Sequence, residues 1–283
     1  MLHLISLFSD NPFLARALVA CVGISLVCPI LGIFLLLRRM SLVGDAISHA
    51  ILPGVALGFM LGGMSVLSMA FGGLIAGVMV TVLAGIVGRK TQTREDASFA
   101  GFYLIALALG VVIISKSGTN LDLMHILFGS ILSVDMNALV ILAIITSFSL
   151  VVLALIVRPI IIDIFDPNLL KNFKVNADYF HLIFLFIVVL NLVIDFQILG
   201  TVLVIGAMML PANIARLLGR TFNQMLLIGI VASLTASFIG ITISYFYDIP
   251  TGPAIVLTDG AIYLLAIAFV GIKALIVPPH YKE

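Results

Sequence analysis

The run MSLVGDAISHAILPG, from Met40 to Gly54, places a carboxylate, Asp45, and an imidazole, His49, four residues apart in an apolar stretch. On an α-helix this spacing stacks the two side chains on one face, with Cβ atoms about 6 Å apart, so that one ion can reach both. Mixed oxygen and nitrogen donors suit Mn, Fe(II) or Zn, whereas thiolates select Cu(I) and all-oxygen sets select Ca or Mg. An acid deep in a membrane helix costs roughly 2.5–3.5 kcal/mol even on insertion scales, so it belongs beside a pathway or a partner and not against lipid. Two plainer readings stay open: Asp45 as a first-turn acid favoured by the helix dipole, and His49 as a buried imidazole bonded to a carbonyl.

Two side chains make half a coordination site. Further ligands could come from Asp122, His125, Asn191, Asp195, Met208, Met209 or water. Pro53 lies one turn beyond His49, where its missing N–H removes a helical hydrogen bond and frees a carbonyl near the ion path. A second informative run, GTVLVIGAMMLPANIARLLGR from Gly200 to Arg220, is expected to end a membrane helix in a short amphipathic element bounded by Pro211 and Gly219. A helix lying along the inner face is what a membrane subunit offers to the groove of a soluble motor. An ordinary basic loop is the alternative.

The elements that must position these residues are legible in the composition. Of 283 residues, 63% are hydrophobic and 10% charged, against about 25% charged in a soluble chain. Apolar runs near the length needed to cross about 30 Å of hydrocarbon recur throughout. They predict spans at 13–37, 43–62, 66–87, 97–114, 136–157, 180–195, 198–212, 224–246 and 258–276, an all-α polytopic bundle of eight or nine crossings in a single domain covering 1–283. The first run is too long for a signal-peptide core and is expected to be retained.

With Arg216 and Arg220 inside, alternation also places Arg38, Arg39, Arg89, Lys90, Arg94, Arg158, Lys171, Lys174, Lys273 and Lys282 inside, as the positive-inside rule favours. The same rule demands an even number of crossings between Phe180 and Ala212, about 15 residues each, with Asp195, Gln197 and Gly200 marking the turn. The stretches from Leu121 to Val134 and from Ile249 to Leu257 are expected to be short outer-face or re-entrant pieces, tolerable where protein buries them. A net charge of +1, with cations scattered singly, excludes nucleic-acid binding. Cys21 and Cys28, two turns apart in one span, are packing residues and not a disulfide framework.

Gly44, Asp45, His49, Pro53, Gly54 and Gly58 resemble, in order, the second-span marker of the permease subunits of the zinc/manganese/iron ATP-binding-cassette importers, a Gly-Asp-x-x-x-His pattern followed by small residues. The stretches LMHILFGSIL (Leu123 to Leu132), Gly200 to Leu218 and IPTGPAIVLTDGAIYL (Ile249 to Leu264) resemble three further parts of that family, so the likeness covers most of the chain. It implies a fold related to the vitamin B12 type of importer permease, Asp45 and His49 as the metal pair, and a coupling run of Pro211, Asn213, Arg216, Leu217, Gly219 and Arg220. Asp122, His125, Asp195 and Met208 remain additional pathway candidates.

The resemblance also implies partners: a cytoplasmic ABC ATPase, an extracytoplasmic metal-binding protein, a second permease subunit (the same chain or a different one) and membrane lipid, in the plasma or inner membrane of a prokaryote. Its form DAISHAILPG leans towards manganese or iron over zinc. No permanently bound cofactor is expected, only the transported ion. The chain carries no GxxxxGK run followed by Ser or Thr, so it does not bind ATP in that way. The rival transporter reading is a proton-coupled carrier in which Asp45, His49 and Asp195 relay protons. An intramembrane hydrolase lacks HExxH or a Ser/His pair, and a scaffold leaves the Asp45, His49 and Pro53 cluster without a purpose.

Overall fold

The computed structural model describes residues 11–63, 65–91, 95–116, 134–166 and 177–276. Among them there are helices and short turns, and no strand. The helices are α1 (Pro12–Leu37), α2 (Val43–Ala50), α3 (Leu52–Gly62), α4 (Val66–Thr91), α5 (Glu95–Lys116), α6 (Met136–Phe165), α7 (Ala177–Leu199), α8 (Thr201–Leu218), α9 (Phe222–Tyr247) and α10 (Thr251–Ile276). Since α2 and α3 together form the span Val43–Gly62, nine spans are present among the described residues.

The bundle has two groups joined by a central helix. In one, α8 packs on α1, α9 and α10, and α9 packs on α1 and α10. In the other, α2 and α3 pack on α4 and α5. Between them α7 touches α4 and α6 and, more lightly, α1, α2 and α8. Lipid tails are as apolar as leucine, so close packing of small residues holds such helices together where hydrophobic burial does not. Gly54 of α3 and Gly72 of α4 illustrate this, since a Cβ on either would collide with the backbone carbonyl of the other.

Three expectations are corrected. The stretch 251–257 is no outer-face piece: it forms the first two turns of α10. Pro253 is accommodated there because N–H groups in a helix's first turn have no intrahelical acceptor. Asp195 and Gln197 do not mark a turn; both lie within α7, and the chain reverses at Gly200 alone, whose φ of 87° is open to glycine. The two crossings are therefore 23 and 18 residues long, about 35 and 27 Å at 1.5 Å per residue, which removes most of the shortfall against bilayer thickness. Finally, Pro211 sits inside α8, so the run from Pro211 to Leu218 forms the last two turns of a membrane helix and is no separate element.

Candidate metal site and coupling surface

Asp45 is the third residue of α2, in its first turn, and the helix has no side-chain cap at its start. In that first-turn position the positive end of the helix dipole favours the Asp45 carboxylate. One turn on, His49 Nε2 lies 3.6 Å from Asp45 Oδ1, with side-chain exposures of 29% and 51% respectively. An ion about 2.1 Å from both atoms would see them roughly 120° apart, so one metal can bridge the pair with little rearrangement. The other imidazole nitrogen, Nδ1, is buried without a hydrogen-bond partner.

Local packing aims this pair. Gly44 lies against the methyl ends of Met208 and Met209, where a Cβ would collide with Met208 Cε, and this holds the start of α2 close to α8. Ser48 donates to the Gly44 carbonyl at 2.9 Å. Pro53 has no N–H to offer the His49 carbonyl four residues earlier, and the helix is interrupted at Ile51 between α2 and α3. On α5, the Tyr103 ring lies beside the His49 ring, 6.1 Å between centroids and tilted by 31°. Sequence reading missed Tyr103, because no spacing rule links it to His49; only the packing of α5 on α2 does.

The other proposed pathway residues are not gathered here. Asp195 is buried between α7 and α1, accepting a hydrogen bond from Cys28 Sγ at 3.5 Å. Asn191 donates to Ser149 and to the Ile187 carbonyl. Met208 is fully buried beneath Gly44. Asp122 and His125 lie outside the described residues. Among the described residues, no group of three or more His, Cys, Asp or Glu side chains forms a metal cluster, and those residues present two such donors at the Asp45/His49 face.

At the basic end of the bundle, Arg38 Nη2 pairs with Asp163 Oδ2 at 2.8 Å while Nη1 meets His181 Nδ1 at 2.6 Å, joining the ends of α1 and α6 to the start of α7. Beside them Arg39, Phe165 and Arg216 line a cleft of about 660 Å³. The coupling run ends at this face. Its Pro211, Ala212, Ile214 and Ala215 are buried, whereas Arg216, Leu217, Leu218 and Arg220 are exposed. The following turn is tightly built: Thr221 caps α9 through the Gln224 N–H, and Gln224 Oε1 accepts from the Arg220 N–H at 3.0 Å. Asn213 is tied to the Met209 carbonyl, and Gly219 has Met225 and the Ala215 carbonyl where a side chain would begin.

Comparison with known proteins agrees with this architecture. Residues 10–270 match the ABC 3 transport family. The chain is 33% identical to the manganese transport system membrane protein MntC of Halalkalibacterium halodurans, covering 91% of this chain and 87% of that one. It is 33% identical to the chelated iron transport system membrane protein YfeD of Yersinia pestis, covering 95% and 91%. Among solved structures, PsaBC from Streptococcus pneumoniae in complex with Fab superposes with a TM-score of 0.82 at 29% identity, covering 95% of this chain and 99% of that chain. A metal-chelate type ABC transporter in an inward-facing conformation shares the fold, with a TM-score of 0.69 at 17% identity over 90% and 85% of the two chains. The chain therefore belongs to the ABC 3 transport family, as a multi-pass permease of a bacterial plasma membrane and a transport subunit, not an enzyme.

Proposed function

We propose that this permease imports a divalent transition metal, manganese or iron ahead of zinc, by alternating access driven by a separate cytoplasmic ATPase. The observation that carries the reading is the Asp45/His49 pair, two donors 3.6 Å apart and partly exposed on a membrane span. A carboxylate left facing lipid would be costly, so the face must be covered. A second permease subunit placing its own pair opposite would cover it and bring the donors to two carboxylates and two imidazoles, a set suited to borderline divalent ions. The relatives named for manganese and for chelated iron support that choice of cargo.

In this reading an outside binding protein delivers the ion, Asp45 supplies charge, and His49 supplies a nitrogen donor. Arg216, Leu217 and Arg220 dock the ATPase, and the buried half of the last two turns of α8 passes movement to α1 and α9. Asp45→Ala and His49→Ala should each reduce metal uptake by the assembled transporter at least tenfold while the complex still purifies intact. Uptake at the unsubstituted rate in both, at matched expression, would refute the site. Uptake by the permease alone in proteoliposomes, driven by a proton gradient without ATP, would select the proton-coupled carrier.

A further inference from the structure

One buried acid among the described residues plays no part in the reading above. Asp259, two turns into α10, has no exposed surface, and both of its carboxylate oxygens are buried without a hydrogen-bond partner. No ion pair among the described residues includes it. Burying a lone carboxylate is costly enough that such groups are paired, coordinated to a cation or neutralised. Inside a membrane, an ionisable side chain of this kind marks a site and calls for a partner.

Its surroundings are oxygen-rich. Ile255, one turn before Asp259, packs against Gly240 of α9, and since α9 and α10 run antiparallel, Asp259 comes level with Ser237. Ser237 Oγ lies 3.3 Å from Ser25 Oγ of α1, and Ser233 Oγ donates to Ser25 Oγ at 2.9 Å. Cys21 of α1 is hydrogen-bonded to Ser237 and within electrostatic reach of Asp259. Ser25, Ser233 and Ser237 are all buried. Two helices, α1 and α9, thus bring three hydroxyls to one level of the bundle, and α10 brings a single acid to the same level.

We propose that Asp259, Ser25, Ser233 and Ser237 form an intramembrane site for a small monovalent cation of the sodium class, separate from the transported ion. Charge decides the valence: one carboxylate among neutral hydroxyls balances one positive charge, whereas a divalent ion would leave a net charge in a low-dielectric interior. Donor type decides hardness, because hydroxyl and carboxylate oxygens select hard ions and a neutral thiol at Cys21 adds no soft ligand. Spacing decides size: an ion held by oxygens about 2.4 Å away, the range of calcium, which sodium matches in radius, sets neighbouring ligand oxygens about 3.4 Å apart. The hydroxyls stand 2.9 and 3.3 Å apart as hydrogen-bonded pairs, so small shifts bring them to that spacing, whereas the larger potassium ion requires larger ones. The bound cation would tie α1, α9 and α10 together in the group that carries the coupling helix.

The test uses the purified transporter complex at constant ionic strength, with sodium chloride exchanged for choline or potassium chloride, and follows the melting midpoint and binding of radioactive sodium. A ligand that binds only the folded state raises the midpoint saturably. Sodium is expected to raise it above choline and above potassium, with one sodium bound per permease. Asp259→Asn should abolish both effects, and Ser237→Ala, which removes one hydroxyl, should raise the half-effective sodium concentration about tenfold while leaving the complex assembled. A sodium-insensitive unsubstituted complex, potassium acting as well as sodium, or full sodium binding retained in either variant would overturn the proposal. A midpoint that is identical in all three salts and unchanged by Asp259→Asn would instead identify a carboxyl neutralised by a proton.

Discussion

At the scale of single residues, the polar side chains of this bundle divide by what surrounds them. Asp45 and His49 keep partial exposure and, among the described residues, join no larger group of His, Cys, Asp or Glu, whereas Asp195 and Asn191, of comparable type, are absorbed into helix contacts by Cys28, Ser149 and the Ile187 carbonyl. Residue type alone does not separate the two classes. Arg38 belongs to a third, structural class: its guanidinium meets Asp163 and His181 at once and lies over the Phe184 ring at 6.0 Å. Removing one member of a fully buried ion pair costs about 3–5 kcal/mol, and this part-buried pair should cost less than that. Arg38→Ala should therefore lower the melting midpoint of the purified complex markedly. Arg38→Lys should recover less than half of the loss, because an ammonium cannot reproduce the planar fork. An unchanged midpoint in Arg38→Ala would show that the three-helix junction contributes nothing to stability.

At the scale of elements, small residues decide how closely helices approach. The Gly54 and Gly72 contact brings two backbones together, so a larger side chain there has no rotamer that escapes. Gly54→Leu should destabilise the complex by at least the 1–3 kcal/mol typical of overpacking. Gly101→Ala, whose added methyl would meet nothing within 4 Å, should stay within about 0.5 kcal/mol of the parent. Equal melting midpoints for the two variants would count against this packing. The interruption at Ile51 has a different cause. Pro53→Ala returns an N–H to the His49 carbonyl, and should straighten α2 into α3 and slow metal uptake at least threefold without lowering the melting midpoint; uptake at the parent rate would mean that the break is incidental.

For the whole molecule, the two helix groups and the helix between them place the metal pair on α2 and the coupling end on α8, which touch through Gly44 and Met208. This contact is a direct mechanical link between the site and the surface proposed to meet the ATPase. Substituting Arg216→Glu together with Leu217→Asp, both at exposed positions, should remove at least nine-tenths of metal-stimulated ATP hydrolysis and leave metal binding by the permease within twofold of the parent. Parent-level stimulation would place the docking surface elsewhere on the inner face.

Much of this was legible in one dimension. Apolar run length predicted eight or nine membrane helices, and nine are present among the described residues, because a helix in hydrocarbon must be long and apolar whatever its neighbours. The Asp45/His49 pairing followed from helical periodicity, which is local. Boundaries were less legible: Ile249 to Leu257 looked like a short outer-face or re-entrant piece because Pro250, Gly252 and Pro253 break helices in general, and the first-turn position that tolerates Pro253 is visible only in the folded chain. Tyr103 beside His49, Cys28 against Asp195, and Asp259 level with Ser237 join residues more than 20 positions apart. An all-round apolar helix carries no mark of which face meets which neighbour, so the tertiary structure alone decided which buried acids, such as Asp195, have a hydrogen-bond partner and which, such as Asp259, have none.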